Sequence, residues 1–325
     1  MSPPVANIMT PAQLTLRIKE ESRRLGLSKI GIAKSEMLEE EGARLNDWLG
    51  RGYQASMEWM MRNARKRIDP GEVLPGARSV ISVALNYYTG ASHPDDPAAG
   101  KVSRYAWGDD YHEVLSGRLR QLLAFIQKES PGAEGKVYVD TGPVMEKAWA
   151  ERSGIGWRGK HTNVITQEFG SWIFLGEILL DVPLVYDAPA LDHCGTCTLC
   201  IEACPTDALD EPYVLDSNRC ISYLTIEHRG EIAEELGGKF DRWIYGCDIC
   251  QDVCPWNHRF SHESQVSEFL PRPVNRHLTL AVVAGFTDKD FSEQFRKSPM
   301  KRTKRVGLVR NAEVALASRP LQSST

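Results

Sequence analysis

The sequence predicts an α+β protein with a layered N-terminal domain, a cysteine-rich domain and a short basic helical region at the C-terminal end. Strand and helix patterns alternate irregularly over residues 1–187, and at least one connection between strands looks antiparallel. All eight cysteines lie between Cys194 and Cys254, within a segment at 188–257. A basic run from Arg296 to Arg310 lies in residues 258–325. These observations divide the chain into three predicted domains.

Elements of the N-terminal domain are predicted from the spacing of its apolar residues. A helix over 11–25 follows from helical spacing of leucines and isoleucines, and the strongest helix pattern runs from Tyr111 to Glu129. The other predictions, in order, are an apolar segment at Lys29–Ala33, a strand at Ser79–Tyr87, a loop at 90–100, a strand at Lys136–Asp140, a helix opened by Pro143, and a hairpin of strands Asn163–Gln167 and Trp172–Leu180. This mixture favours a three-layer core.

The cysteine spacing indicates two iron–sulfur clusters. The runs read C-x₂-C-x₂-C-x₃-C-P and C-x₂-C-x₃-C-P, and in bacterial ferredoxins the fourth cysteine of the longer run binds the other cluster. Applied here, that rule divides the eight thiols into two sets of four, one for each [4Fe–4S] cluster. The first set is Cys194, Cys197, Cys200 and Cys254, and the second is Cys204, Cys220, Cys247 and Cys250. The segment is therefore predicted to be a bacterial-ferredoxin-like two-cluster domain.

Zinc is the main alternative ligand for these thiols. Structural zinc usually uses two C-x₂-C pairs separated by a dozen or more residues, often with histidine, which fits the x₂, x₂, x₃ spacing less well. A disulfide framework is typical of small secreted chains rather than of a long chain with one cysteine-dense segment. Iron–sulfur clusters are therefore favoured over both alternatives.

Composition describes an ordinary globular chain: 325 residues, 42% hydrophobic, 25% charged and a net charge of −4. No apolar run is long enough to span a bilayer, and prolines and charges interrupt the N-terminal segment where a signal peptide would need an apolar core. Cysteine thiolates that bind oxygen-sensitive clusters are typical of a reducing compartment. We therefore expect a cytoplasmic protein without a membrane partner, acting as a monomer.

The basic run contains seven lysines and arginines and no acidic residue between Arg296 and Arg310. Such a run is commonly a solvated helix face. In an acidic protein, a local basic stripe is also the electrostatic footprint expected for a phosphate backbone. Composition leaves both interpretations open.

Asp140 ends a predicted strand and precedes Thr141, Gly142 and Pro143. It is either the cap of the following helix or a carboxylate at a strand's end, where layered folds gather their active sites. A buried carboxyl there could deliver a proton to a reduced substrate. Nearby, Asp110-Tyr111-His112 begins a D-x-H-x-x-G corrinoid motif, but Leu115 replaces its glycine. We therefore interpret this stretch as the start of the long helix and do not assign His112 as an axial cobalt ligand.

Several segments together resemble the epoxyqueuosine reductases. They are the cysteine pattern, Val137–Arg152 (VYVDTGPVMEKAWAER), Gly156–Asn163 (GWRGKHTN), Cys220–Glu227 (CISYLTIE) and Ser298–Leu316 (SPMKRTKRVGLVRNAEVAL). The resemblance implies a cobalamin-binding N-terminal domain, two [4Fe–4S] clusters and the reduction of epoxyqueuosine to queuosine at the wobble position of tRNA. It also implies an external low-potential electron donor. Many members continue into a further helical-repeat region, which leaves the extent of the tRNA footprint open.

The resemblance also implies roles for individual residues. Asp140 matches the proton-donating aspartate of the family's V-D-T-x-P segment. Cobalamin contacts are expected from polar residues of the matching segments: Asn63, Arg104, Tyr105, Asp140, Lys160, His161, Asn163 and Ser222. Contacts with tRNA are expected from Arg302, Lys304, Arg305 and Arg310. Each of these residues also has an ordinary structural interpretation as a cap, a surface charge or a core histidine.

Two other functions are compatible with the same motifs. A reductive dehalogenase shares cobalamin and paired clusters, but such enzymes are generally exported, and the basic run has no purpose in one. A passive ferredoxin-like electron carrier would leave the large N-terminal domain without a role. Uptake of cobalamin separates the carrier from both enzymes, and conversion of epoxyqueuosine in tRNA separates the two enzymes from each other.

Overall fold

The computed structural model describes residues 9–318. The helices are α1 (Pro11–Arg24), α2 (Glu39–Gly50), α3 (Glu58–Arg62), α4 (Ala64–Ile68), α5 (Tyr111–Glu129), α6 (Glu146–Arg152), α7 (Leu199–Glu202), α8 (Ile221–Ile226), α9 (Glu234–Gly237), α10 (Ile249–Asp252), α11 (Pro255–Phe260), α12 (Pro273–Arg276), α13 (Leu280–Ala284), α14 (Asp288–Gln294) and α15 (Lys304–Ala317). The strands are β1 (Lys29–Lys34), β2 (Ser79–Asn86), β3 (Ala99–Val102), β4 (Gly135–Tyr138), β5 (Trp157–Arg158), β6 (Val164–Ile165), β7 (Ile173–Leu180), β8 (Trp243–Tyr245) and β9 (Leu278–Thr279). Short 3₁₀ helices lie at Pro70–Glu72, Arg104–Ala106, Ser267–Phe269 and Pro299–Thr303.

None of the helices described between residues 9 and 318 combines the length and apolar character needed to cross a bilayer. The expectation that the N-terminal segment has no signal-peptide core falls partly on residues 1–8, which lie outside the described residues.

The main sheet is antiparallel, with four strands in the order β1, β2, β7 and β4. All residues of the central strand β2 are buried. β4 is an edge strand, and its last residue, Tyr138, pairs with Glu177 of β7. The chain that leaves β4 therefore emerges at one edge of the sheet, and Asp140 lies in this segment.

Helices cover both faces of this sheet. Side chains along a strand point to alternate faces, so Ile81 and Val83 pack with Leu119 of α5, whereas Val80 packs with Trp149 of α6. Helix α1 lies beside α5 on the first face. The arrangement confirms the predicted α+β class and its three layers.

A smaller sheet joins distant parts of the chain. Its middle strand β3 pairs in parallel with β8 and antiparallel with β9. Each strand comes from a different predicted domain, so the three regions share backbone hydrogen bonds and one apolar cluster with α13 and α15. The division at residues 187 and 257 stays a prediction about domain limits.

Most predicted elements are present, and the predicted and observed limits of α5 agree at Tyr111 and Glu129. Two predictions are wrong. Strand β6 pairs with β5, not with β7, because the chain turns back at 159–163. Helix α6 begins at Glu146 and not at Pro143, since residues 141–145 form a loop.

Candidate active site

A cavity of about 1630 Å³ opens beside α6. This volume exceeds the roughly 300–1,000 Å³ of ordinary small-molecule pockets. Its wall is built from α2 to α4, the start of α5, residues 140–148, the segment around Cys220 and the 3₁₀ helix before α15. Asp140 and Cys220 both line it. The predicted proton donor and a predicted cluster ligand therefore share one cavity.

Asp140 has a left-handed backbone conformation, with φ of 57°. Such a conformation is uncommon for residues other than glycine, although aspartate and asparagine tolerate it best. It directs the side chain into the cavity, where 61% of it is exposed. Helix α6 has Met145 as its N-cap residue and receives no side-chain cap bond. The alternative interpretation of Asp140 as a helix cap is therefore wrong.

Two side chains at the start of α5 hold the Asp140 carboxylate. The Tyr111 hydroxyl donates to Oδ2 over 3.1 Å, and Nε2 of His112 lies 3.2 Å from the same oxygen. The other ring nitrogen of His112 lies 2.7 Å from Oδ1 of Asp110, which also caps α5 by accepting the His112 backbone N–H. Asp110, His112 and Asp140 thus form a continuous hydrogen-bonded chain.

Packing of α5 against the sheet places this chain at the cavity. A Cβ atom added to Gly176 of β7 would lie 2.7 Å from Leu119 Cδ1, so glycine allows close approach of the helix. The Tyr111 ring stacks on Phe174 of β7 at 4.2 Å and on the His112 ring at 4.0 Å. These contacts fix the position of the imidazole.

The carboxylates determine the charge of His112. Burial alone would lower the pKa of His112, but hydrogen bonds to Asp110 and Asp140 outweigh burial and raise it to about 9. Partial desolvation by the cavity walls opposes ionisation of the exposed Asp140 side chain, yet the hydrogen bond and charge of His112 hold the pKa of Asp140 below its usual value. At neutral pH the pair therefore consists of an imidazolium and a carboxylate that share a proton.

Two further titratable residues line the cavity next to Asp140. Burial, followed by the negative charge of Asp140, raises the pKa of Glu146 to about 8. Lys147 is exposed at the cavity, where partial desolvation by the cavity walls lowers its pKa, and its ammonium donates to Oδ1 of Asn163 over 3.1 Å. Glu146 and Lys147 lie in the quoted segment after Asp140, but no periodicity or spacing pattern singled them out.

The thiols interact within the two predicted sets. Burial raises the pKa of Cys200 to about 11, with further contributions from Cys254, Cys194 and Cys197. In the second set, burial followed by Cys250 and Cys220 raises the pKa of Cys247, and Cys204 contributes to the raised pKa of Cys220. The two sets also influence each other, since Cys200 contributes to the raised pKa of Cys250. Thiols that hinder one another's ionisation suit a metal–sulfur centre, whose positive charge would stabilise the thiolates.

Of the eight residues expected to contact cobalamin, four line the cavity and four do not. Asn63, Tyr105, Asp140 and Ser222 line the cavity. Asn163 lies behind Lys147 and bonds to it. Lys160, His161 and Arg104 make other contacts.

Lys160 is buried, and its ammonium donates to the carbonyls of Gly195 at 2.6 Å and Cys197 at 3.0 Å. This places a positive charge beside the first cysteine set. His161 is also buried, and burial followed by the charge of Lys147 lowers its pKa to about 4. His161 is therefore neutral, as in the core-histidine interpretation.

Arg104 contacts the second cysteine segment. Its guanidinium lies 3.1 Å from Asp248 and 2.7 Å from Asp252, and its backbone N–H donates to Asp248 over 2.9 Å. The rings of Trp107 and Trp172 lie 5.5 and 5.1 Å from its guanidinium carbon. Asp248 is fully buried and follows Cys247 directly, so Arg104 neutralises a buried charge next to a predicted cluster ligand.

Three of the four residues expected to contact tRNA have partners within the protein. Arg302 forms a two-pronged ion pair with Glu227 at 2.7 and 2.8 Å, and Arg305 pairs with Asp288 at 2.8 Å. Arg310 donates to the carbonyls of Leu224, His228 and Gly230. Lys304 is exposed. Of the four, only Arg302 lines the cavity.

A second basic surface was missed from the sequence. Helices α3 and α4 carry exposed Arg62, Arg65 and Lys66 next to Asn63 in the cavity wall. The Arg302 guanidinium lies 5.4 Å from the Trp59 ring of α3 and so connects this surface with the basic run. A count of charges in the segment from Arg62 to Arg67 could have found it.

Two family models match the chain. One, described as epoxyqueuosine reductase QueG, DUF1730, matches residues 67–141, and the other, the 4Fe-4S double cluster binding domain, matches residues 193–257. A curated epoxyqueuosine reductase of Cellulophaga algicola is 48% identical over 91% of this chain and 96% of its own length.

The chain belongs to the epoxyqueuosine reductase family. It is accordingly an oxidoreductase with an iron–sulfur domain, which sets aside zinc and the passive electron carrier. A solved epoxyqueuosine reductase with a tRNA-Tyr epoxyqueuosine-modified stem loop superposes with a TM-score of 0.89 at 32% identity, over 95% of this chain and 82% of that one. The Bacillus subtilis enzyme, with its catalytic aspartate loop swung out of the active site, has the same TM-score and coverages at 31% identity.

Proposed function

We propose that this enzyme reduces epoxyqueuosine to queuosine at the wobble position of tRNA, with cobalamin in the cavity and electrons from two [4Fe–4S] clusters. The observation that carries the proposal is the position of Asp140 and Cys220 in the wall of one large cavity. A proton-handling carboxylate and a cluster thiol thus face the same space. The solved relative with an epoxyqueuosine-modified tRNA stem loop supports tRNA as the substrate.

The reaction requires protons as well as electrons. Breaking both C–O bonds of the epoxide and forming a C=C bond consumes two electrons and two protons and releases water. Asp140 is the group through which protons enter, because its carboxylate projects into the cavity and His112 keeps a proton within 3.2 Å of it. Tyr111 orients the same carboxylate. The positive φ of Asp140 gives its loop a conformation that can relax, which fits the aspartate loop found swung out in the Bacillus subtilis enzyme.

The cavity has the size and lining expected for a corrinoid together with part of a nucleotide. Asn63, Tyr105 and Ser222 provide polar atoms, and Met57 and Met60 provide apolar surface. These residues would hold the cofactor. Cobalamin, when bound, supplies the cobalt chemistry that cleaves the C–O bonds. Arg104 and Lys160 act instead by supporting the cysteine segments, and His161 is a neutral core histidine.

Electrons would enter through the first cysteine set and leave through the second. Cys220 belongs to the second set and lines the cavity, whereas Cys194 and Cys197 lie on a segment with exposed neighbours. An external low-potential donor would therefore approach the first set. A tRNA substrate and oxygen-sensitive clusters fit the reducing cytoplasm, where we propose that the enzyme acts as a monomer.

The tRNA would lie across two basic surfaces at the cavity. Arg302 is 52% exposed despite its ion pair, and Lys304 is exposed. Arg62 and Lys66 extend this surface on the other side of Trp59. An anticodon loop offers both phosphates for such charges and splayed bases for the cavity. Arg305 and Arg310 contribute through the fold of α15 as well as through charge.

Anaerobic reconstitution tests the proposal directly. Protein with both clusters should bind cobalamin, seen as corrin absorption after gel filtration, and convert epoxyqueuosine to queuosine in tRNA under a strong reductant. Conversion without corrinoid uptake would contradict the role of cobalamin. Corrinoid uptake without conversion of tRNA, accompanied by turnover of halogenated aromatic compounds, would instead support a dehalogenase.

A further inference from the structure

A second carboxyl group in the cavity wall is placed to handle protons. Glu146 is the first residue of α6 and lines the cavity together with Asp140. Its Oε1 atom is buried and, among the described residues, has no hydrogen-bond partner. Ionisation would place negative charge on this unpartnered buried oxygen, which is costly even though the Asp140 backbone amide hydrogen-bonds to the carboxyl group.

The surroundings of Glu146, taken together, favour its neutral form. Burial and the carboxylate of Asp140 oppose its ionisation, whereas the Asp140 backbone amide, Lys147 and Arg67 favour it. The net effect is the raised pKa given above, so Glu146 carries a proton at neutral pH. Arg67 does not neutralise Glu146 by an ion pair, because its guanidinium donates to the carbonyl of Val144 over 3.2 Å.

Glu177 provides a comparison inside the same region. It lies on the α6 face of β7, opposite Ser82 and Tyr138, and is fully buried. Neither of its carboxyl oxygens has a partner among residues 9–318, and burial followed by Glu146 and Asp140 raises its pKa. Glu177 is not part of the cavity wall. The two glutamates therefore share the neutral state and differ in their access to the cavity.

The reaction needs a second proton in the cavity, which Glu146 can reach and Glu177 cannot. Release of the epoxide oxygen as water consumes two protons, and the shared proton of His112 and Asp140 accounts for one. We propose that Glu146 is a second proton donor of this cavity, which supplies the other proton to the departing oxygen either directly or by way of Asp140. This inference rests on the proposed function. The electrons come from the iron–sulfur clusters, and Glu146 is left as a carboxylate that solvent reprotonates after product release.

Kinetics of Glu146→Gln test the inference. The amide keeps the shape of the side chain but has no proton to donate, so kcat for epoxyqueuosine tRNA should fall on the order of 100-fold with KM unchanged. The fall of wild-type kcat above about pH 8 should disappear in the variant, and Glu146→Asp should restore part of the activity. Glu177→Gln is the matched control and should keep the wild-type pH profile.

Unchanged kcat and pH profile in Glu146→Gln would overturn the inference, and so would equal losses in Glu146→Gln and Glu177→Gln. Infrared spectra add a readout without turnover. In the Glu177→Gln protein, which lacks the other buried neutral carboxyl, the carbonyl band of a protonated carboxyl group should persist at pH 7, disappear near pH 8, and shift when Glu146→Asp is added. A band that titrates in the ordinary carboxylic-acid range would overturn the inference even if Glu146→Gln did not fold. Failure of the proposed function would instead appear as wild-type protein that does not convert tRNA.

Discussion

His112 Nε2 lies 3.2 Å from Oδ2 of Asp140, although 28 residues separate them in the sequence. The contact joins the beginning of α5 to the loop after β4, and both side chains face the cavity that Cys220 also lines. The contact couples the pKa of the imidazole to that of the carboxylate. A substitution of one residue should therefore change the pKa of the other.

Replacing Asp140 by asparagine should lower the pKa of His112. The carboxylate stabilises the imidazolium, and its loss leaves Asp110 as the only carboxylate bonded to the ring among the described residues. Asparagine also tolerates the positive φ, which alanine does not. An NMR titration of the His112 ring should show the midpoint move from about 9 toward the ordinary histidine range. An unchanged midpoint would mean that the two side chains do not interact in solution.

Arg104→Met should destabilise the second cysteine segment. Without the guanidinium, Asp248 stays buried and loses its arginine partner, and breaking a buried ion pair costs about 3 kcal/mol or more. We expect a lower melting temperature and an iron content that falls from about eight toward four per chain. Arg259→Met, an exposed arginine of α11, is the control and should keep both clusters. Full iron content in Arg104→Met would show that this ion pair does not support the cluster.

The basic surface on α3 and α4 should contribute to tRNA affinity. Each lost phosphate contact reduces the slope of log affinity against log salt by about 1, so Arg62→Ala with Lys66→Ala should reduce it by about 2. Arg23→Ala with Arg24→Ala removes two exposed charges from α1, on the other face of the sheet, and should leave the slope unchanged. Equal effects of the two double variants would indicate a nonspecific charge effect.

The buried carboxyl of Glu177 should make the protein less stable as pH rises. Its pKa is raised in the folded state, so between the ordinary glutamate pKa and the folded value the native state binds the extra proton. Stability from this group then falls with increasing pH, by up to about 1.4 kcal/mol per pH unit. Melting temperatures of Glu177→Met, compared with wild type from pH 5 to pH 9, should depend less on pH. Glu113→Met, at an exposed position of α5, should keep the wild-type slope.

Regular elements were predictable because their apolar spacing is local. Helix α5 and strands β2 and β7 follow from runs of leucine, isoleucine and valine that the structure buries. The grouping of Cys220 with the second set followed from a counting rule, without reference to contacts. The predicted start of α6 at Pro143 is wrong because the loop that carries Asp140 continues to Met145.

Contacts between distant elements could not be predicted in the same way. The partner of Arg104 lies 144 residues away, and no local pattern separates a cofactor contact from an ion pair with Asp248. Glu146 and Glu177 resemble ordinary surface glutamates in the sequence, yet the fold buries Glu177 fully and Glu146 in part. Their significance depends on the sheet order, which the sequence left open.

Single-turnover conversion of epoxyqueuosine tRNA by wild type and Asp140→Asn tests the central claim most directly. Both proteins should carry the same iron and cobalamin and bind tRNA equally, and the rate of queuosine formation in Asp140→Asn should be at least about 100-fold lower, because the cavity has lost its proton-delivering carboxylate. A wild-type rate in Asp140→Asn with both cofactors bound would contradict the account.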